Sequence, residues 1–343
     1  MKLIKLFLIY IITIGFVSAK PPHISKVKNP PPRIIRTCCG FGAEVPLAGL
    51  TFIKVTDITS GDKIGDHKFM GSKHENNGIV YTKKGGFIDM GHLRDIADIT
   101  AYMYVLMKSE PSPITLKLGN EGGQKVLNIH IPDNFQEQDY IHLAGKIAYD
   151  LSVWHEVSTW YGASYIPLVP ERYSSFSVED AYSNLTGVQL GMKALASDKE
   201  YDVAMTENVA GLLQKLEAVE TREKNFEAMN AVKDLWWSGK AKYPSRKVLI
   251  KRVYDIYGCI YPLLIDDIQA SIGTENKVCV PEKTVSGEDL NKFYALNIKT
   301  NFKIPVKKAL ENQEKMISQL DFPALIAYAK EQAEAKEKHK DLR

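Results

Sequence analysis

GFIDMGHLRDIADITAYMYVLMKSEPSPITLKLGNEGGQKVLNIHI, residues 86–131, decides the fold class. Its first half lacks proline, is rich in helix-compatible residues and runs into the breaker Glu110-Pro111-Ser112-Pro113, which predicts a helix over about 91–108. In the second half the period changes. Ile114, Leu116 and Leu118 alternate with Thr115 and Lys117, and Leu127, Ile129 and Ile131 alternate with Asn128 and His130, across a loop bearing Gly119, Gly122 and Gly123. Apolar alternation on both sides of a glycine loop is a β-hairpin.

Upstream, residues 37–81 are short β-prone pieces such as Thr51-Phe52-Ile53-Lys54-Val55 and Gly78-Ile79-Val80-Tyr81, broken by Gly, Asp and Asn clusters. Downstream, helices are expected at about 137–161, 178–195, 203–235, 244–257, 304–319 and 323–338. The expected fold is therefore α+β and predominantly helical, with a small β-rich N-terminal portion containing a β-hairpin and a helical C-terminal half. Residues 37–343 read as one catalytic-type domain, with a subdivision near residue 200 left open.

Residues 1–19 read as a cleavable signal peptide: Lys2 and Lys5, an apolar run from Leu6 to Val17, then Val17-Ser18-Ala19 with small residues for the peptidase. A dozen apolar residues are too few for a bilayer span, which needs roughly 20. The mature protein is expected to be soluble and periplasmic or secreted. Residues 20–36, with Pro21, Pro22 and Pro30 to Pro32, form a Pro-rich linker or a surface-hugging arm.

The formal charge is +3, of which Lys2 and Lys5 contribute two, leaving +1 for the mature chain. A near-neutral protein without a basic block gives no support for nucleic-acid binding. Cys38, Cys39, Cys259 and Cys279 in an exported chain make disulfides plausible. Cys259 with Cys279 would close a loop of about 20 residues, worth roughly 3 kcal/mol in the chain-entropy model; the alternative joins Cys38 or Cys39 to one of them. No G-x-S-x-G elbow, phosphate loop or Rossmann fingerprint is present, so serine-hydrolase, nucleotide and dehydrogenase chemistries lose their usual support.

Metal-ligating residue types concentrate in GFIDMGHLRDIAD, residues 86–98. If the helix includes Asp89, then Asp89, His92 and Asp95 fall within one 120° arc at about 100° per residue. Asp98 lies farther round and is expected to orient ligands or pair with Arg94. The plain alternative is an acidic helix start favoured by the dipole, but Gly85, Gly86 and Gly91 allow a close backbone approach that such a helix does not require. A second cluster is WHEVSTWYG, residues 154–162, where His155-Glu156 begins the zinc-protease pattern H-E-x-x-H and Thr159 replaces its second histidine. The alternative there is a buried structural histidine among aromatics. A third, FSVEDAYSN, residues 176–184, resembles a capping box. Its Glu179 and Asp180 could ligate a metal only if the fold brings them to the other two clusters. His67 and Glu75 are weaker candidates on loops, while His130 and His142 read as ordinary surface or core residues.

RTCCGFG (36–42), DITS (57–60), NGIVYT (77–82), GFIDMGHLRDIADITAY (86–102), WHEVSTWYG and FSVEDAYSN together resemble an exported bacterial family of unknown function, itself similar to bacterial and fungal zinc metallophospholipases C. The resemblance covers about Arg36 to Gly191. It implies metal-binding or acid/base roles for His92, Asp95, Asp98, His155 and Glu156. Histidines and carboxylates on helices agree with hydrolytic Zn²⁺, which takes N and O ligands and lowers the pKa of bound water to about 7.

The expected function is an exported zinc-dependent phosphoesterase of phospholipase C type, cleaving a phospholipid at a membrane surface. His92, His155, Asp89, Asp95, Asp98 and Glu156 are the candidate metal ligands, and Glu156 or Asp95 handles the proton. The alternatives are a non-catalytic envelope protein that binds lipid or a partner, and a zinc peptidase or amidase. No nucleic acid or nucleotide is expected as a partner. The sharpest expectation is that His92 and His155 meet at one metal centre where their two helices pack.

Overall fold

The computed structural model describes residues 20–30, 36, 40–164, 171–265, 274–310 and 316–341, with side chains as far as 335. The expected signal peptide, Cys38, Cys39 and part of the Pro-rich arm lie outside the described residues.

Two small hairpins open the chain. β1 (Pro46–Leu47) pairs with β2 (Leu50–Lys54), and β3 (Ile79–Thr82) pairs with β4 (Gly86–Asp89), both antiparallel. Asp89 ends β4 and caps α1 (Met90–Ser109), its carboxylate accepting the backbone N–H of His92. Strand therefore passes into helix at the first candidate ligand, and the cap fixes the direction of that carboxylate. After α1 come β5 (Ile114–Asn120), β6 (Gly123–Ile129) and α2 (Glu137–Trp160); α2 keeps its expected bounds to within one residue, while β6 begins four residues before Leu127, inside the expected glycine loop. The helices α3 (Asp180–Leu195), α4 (Tyr201–Lys215) and α5 (Arg222–Ala231) follow. The last part of the chain holds β7 (Cys259–Ile260), β8 (Val278–Cys279), β9 (Tyr294–Thr300), the one-turn α6 (Val306–Ala309), β10 (Met316–Ile317) and α7 (Phe322–Asp341).

The fold class read from the sequence is the observed one: α+β, mainly helical, with a strand-rich N-terminal part. Individual elements differ in three places. The expected helix over 203–235 stops at Lys215 and resumes at Arg222. Between them the backbone leaves the helix to bond the β3–β4 hairpin: Lys83 and Lys84 N–H donate to the Glu217 and Leu216 carbonyls, and Val219 N–H to Tyr81. Residues 244–257 form no helix, because their backbone is satisfied at long range. Val253 N–H donates to the Phe176 carbonyl, and Ile250 and Lys251 N–H to that of Trp236. Helix over 304–319 shrinks to α6, preceded by the unexpected strand β9, which sits in the antiparallel sheet β10-β9-β6-β5 with Leu127 opposite Leu296.

α1, α2 and α3 pack together over this sheet in the larger of two apolar clusters; the smaller lies beneath the N-terminal hairpins around Phe41, Phe87, Trp236 and Trp237. The tightest of these contacts is between α1 and α3. A Cβ on Gly187 would stand 2.1 Å from the Leu93 carbonyl oxygen and one on Gly191 3.0 Å from that of Ala97. Two glycines one turn apart thus let α3 lie directly against the backbone of α1. Trp154, fully buried on α2, donates its indole N–H to the Glu121 carbonyl at 2.8 Å, fastening the β5–β6 turn to the helices. The described arm hugs the surface: Val27 is buried and its carbonyl accepts the Tyr102 hydroxyl at 2.7 Å. Cys259 and Cys279 face each other across β7 and β8 in a disulfide. Among the described residues no helix is long and apolar enough to cross a membrane.

Candidate metal centre

Close packing of α1 on α3 brings the start of α3 beside the start of α1. Asp180, the first residue of α3, presents Oδ1 3.0 Å from His92 Nδ1. Asp89 completes the group, for the ligand atoms of Asp89, His92 and Asp180 all lie within 4.8 Å of one another. One serine ties the two helix starts together. Ser183 Oγ donates to the Glu179 carbonyl at 2.6 Å and accepts the Asp89 backbone N–H at 2.9 Å.

The surroundings are almost free of solvent: Asp89 is 1% exposed, Asp180 5% and Glu179 2%. Burial pushes the Asp89 carboxyl above its ordinary pKa against the charge of His92, and Asp180 adds to the push. Burial, then the charge of Asp180 and also that of Asp89, drives Glu179 well above the usual carboxylate range, while the Ser177 hydroxyl bonded to it works the other way. Carboxylates crowded into a dry site resist ionising together, and a bound cation reverses that penalty. The donor set therefore fits a metal ion: one imidazole and two carboxylates converging, with a third carboxylate behind them.

His92 also lines a cleft of about 420 Å³. Its walls include Ile96, Ile99, Tyr102, Met103, Leu118 and Leu151, with Lys117 and Lys125 among the polar lining. His155 and Glu121 line the same cleft, joined by His155 Nδ1 and Glu121 Oε1 at 2.6 Å, and Lys125 Nζ donates to the other oxygen of Glu121 at 2.5 Å. A carboxylate on Nδ1 sets the imidazole's orientation and tautomer.

A buried ionic cluster adjoins the centre. Arg36 donates Nε and Nη2 to Glu75 at 2.8 and 3.0 Å, Nη1 to Asp95 at 2.8 Å, and Nη2 also to Asp98 at 2.8 Å. His67 Nε2 lies 3.0 Å from the other Asp98 oxygen. Burial works against the guanidinium charge, but Asp98, Glu75 and Asp95 outweigh it and hold Arg36 above its ordinary pKa. Arg94 donates to the backbone of Glu75 and Gly65 and to Asn77 Oδ1, and burial pulls its pKa down to about 10.

The family profile described as Protein of unknown function (DUF4056) matches residues 26–266, more than two thirds of the 343. The chain belongs to the DUF4056 family. No curated protein and no solved structure matches it. The comparisons place it in a family of unknown function and do not connect that family to the zinc metallophospholipases C. The DUF4056 match takes in α1 to α5 and all of Asp89, His92, Glu179 and Asp180.

Of the residues singled out from the sequence, Asp89 and His92 come together, but not as two points on one helical arc, since Asp89 is the extended cap before α1. Asp95 and Asp98 face the cleft and are held by Arg36. His155 shares the cleft with His92 but is not one of the three converging ligands; Glu121 holds it. Glu156, next in the chain, accepts the Phe176 backbone N–H at 2.6 Å and so anchors the segment leading into α3. Gly85 and Gly86 serve packing: a Cβ at Gly86 would sit 2.2 Å from the Leu263 carbonyl oxygen and one at Gly85 2.6 Å from Leu216 Cδ1. The third cluster supplies Asp180, about 90 residues from its partners. Glu121 carried no signal in the sequence beyond its place in a hairpin turn.

Proposed function

We propose that this DUF4056 protein is an exported zinc-dependent phosphoesterase acting on a glycerophospholipid. The observation that carries the reading is the convergence of the buried Asp89 and Asp180 on His92, which itself lines a cleft whose surface is mainly apolar. One imidazole and two carboxylates would hold the ion by three protein ligands, the number typical of a catalytic rather than a structural zinc site. A zinc ion there supplies Lewis acidity and activates water at neutral pH.

The remaining chemistry belongs to the chain. Ile96, Ile99, Met103 and Leu118 offer an apolar wall for an acyl or glyceride portion, and Lys117 offers positive charge to an anionic head group. His155, oriented by Glu121 in the same cleft, is the group suited to pass a proton to or from the substrate. Arg36 holds Asp95 and Asp98 in fixed positions along the same helix face, which keeps the cleft wall rigid.

The test is turnover of a chromogenic phosphodiester and of phosphatidylcholine vesicles by the purified protein, before and after chelation, with zinc added back. Activity lost on chelation, restored by zinc and absent from Asp180→Asn supports the reading. A protein that holds no transition metal and whose activity ignores chelator overturns it, and leaves the non-catalytic lipid-binding alternative.

A further inference from the structure

We propose that the end of the four-stranded sheet around residues 299–308 docks on an anionic lipid bilayer. The ten residues Lys299-Thr300-Asn301-Phe302-Lys303-Ile304-Pro305-Val306-Lys307-Lys308 carry four lysines and no carboxylate, in a chain whose overall charge is only +3. Phe302 is 88% exposed, more than any other large apolar side chain among the described residues, yet its loop is firmly seated. Ile304 and Val306 are buried, Asn301 N–H donates to the Gly122 carbonyl at 2.9 Å, and Lys303 Nζ donates to that of Gly162 at 3.0 Å. An aromatic ring held out in water by a well-anchored loop contributes little apolar burial to the fold of the single chain.

The neighbouring edge strand extends the surface. Met316, half exposed, pairs with Lys299 across β10 and β9, and Leu320 lies exposed just beyond. Exposed apolar side chains among lysines match the boundary of an anionic membrane, where the rings enter the acyl edge and the ammonium groups meet the head groups. The second exposed apolar patch, Leu50, Phe52 and Ile53 on β2, carries less of this charge, because Glu44 bridges Lys54 and Lys233 beside it and offsets one of their two charges.

The position suits the phosphoesterase reading, on which the link to substrate rests. Thr300 pairs with Gly123, so Phe302 stands next to the β5–β6 turn whose Asn120 and Glu121 line the cleft. Docking there would set the cleft beside the lipid surface. Docking itself is measured without turnover, so its failure and the failure of the catalytic reading are distinguishable.

The experiment is co-sedimentation of the full chain with phosphatidylcholine vesicles, with and without about a third phosphatidylglycerol, at low and high salt. Binding is expected on the anionic vesicles alone, to weaken at high salt, and to persist when metal is chelated. Each lysine near the surface is worth roughly a factor of five, so Lys299→Ala, Lys307→Ala and Lys308→Ala together should weaken binding about a hundredfold. Phe302→Ser should weaken it independently, with Phe52→Ser as the unaffected control. Absence of binding by the unaltered chain overturns the proposal, as does binding that survives both sets of changes or that depends on Phe52.

Discussion

Replacing Gly187 by alanine should damage the protein at two levels. The new methyl would lie 2.1 Å from the Leu93 carbonyl oxygen, nearly 1 Å inside the 3.0 Å that real Cβ contacts respect. That oxygen belongs to the backbone of α1 and cannot rotate away, so the helices must part by about 1 Å. Overpacking of this kind costs about 1–3 kcal/mol, and the upper end applies where no side chain can yield. Alanine recovers about 1 kcal/mol of helix propensity, which leaves a net loss of about 2 kcal/mol. Asp180 lies two turns earlier on the same helix, so it would move with α3 away from Asp89 and His92. Metal sites tolerate about 0.2 Å, and zinc affinity should fall by roughly 100-fold or more, beyond the range seen when a supporting partner is lost. Urea unfolding and calorimetric zinc titration read the two effects. Gly191→Ala, whose Cβ would be 3.0 Å from the Ala97 oxygen, should show a weaker version. Gly211→Ala, with nothing within 4 Å in α4, should be neutral or stabilising by up to about 1 kcal/mol. A Gly187→Ala protein with unchanged midpoint and unchanged zinc affinity would refute the reasoning.

Two further outcomes concern the Arg36 cluster. Burial raises the Glu75 carboxyl, but the hydrogen bonds and charge of Arg36, the Lys68 N–H and the Asn77 amide outweigh it and hold the pKa at about 2 against an ordinary 4.5. A depressed carboxylate stabilises the fold fully above its unfolded pKa and loses that contribution as pH falls through the folded one, so about 3 kcal/mol should disappear between pH 4.5 and 2. Glu75→Gln should flatten the stability profile in that window; a variant with the wild-type slope there would contradict it. Arg36→Met would strand the carboxylates of Glu75, Asp95 and Asp98, and should cost about 3–5 kcal/mol at pH 7. The deficit should shrink by pH 4 as Glu75, no longer held down by the guanidinium, protonates, which chemical denaturation at the two pH values checks.

Residues 86–160 were legible because each element there is decided locally. The α1 pattern runs to a proline breaker, the β5–β6 alternation flanks a glycine loop, and α2 opens with the Asp139 carboxylate accepting the Gln136 N–H. Strand β9 also alternates, with Tyr294, Leu296, Ile298 and Thr300 inward, but its partner β6 lies about 170 residues earlier, and nothing local announces that pairing. The break after Lys215 turns on Glu217, whose φ of 55° is rare for a residue with a side chain and is held by bonds to the β3–β4 hairpin.

The site divides in the same way. Asp89 and His92 stood out as one sequence cluster, whereas Asp180 joins them through helix packing. The trace of that packing in the text is Gly187 and Gly191, one turn apart on α3. Asp95 and Asp98 share the residue types of metal ligands, and only the three-dimensional arrival of Arg36 from the N-terminal arm shows what they hold.

The most direct measurement is an anomalous difference map at the zinc edge from crystals of the full chain grown with zinc. A single strong peak should lie about 2.0–2.2 Å from a His92 ring nitrogen and from carboxylate oxygens of Asp89 and Asp180, and it should vanish in Asp180→Asn. An empty map at those three residues, or a peak bound instead by His155 and Glu156, would contradict the centre described above.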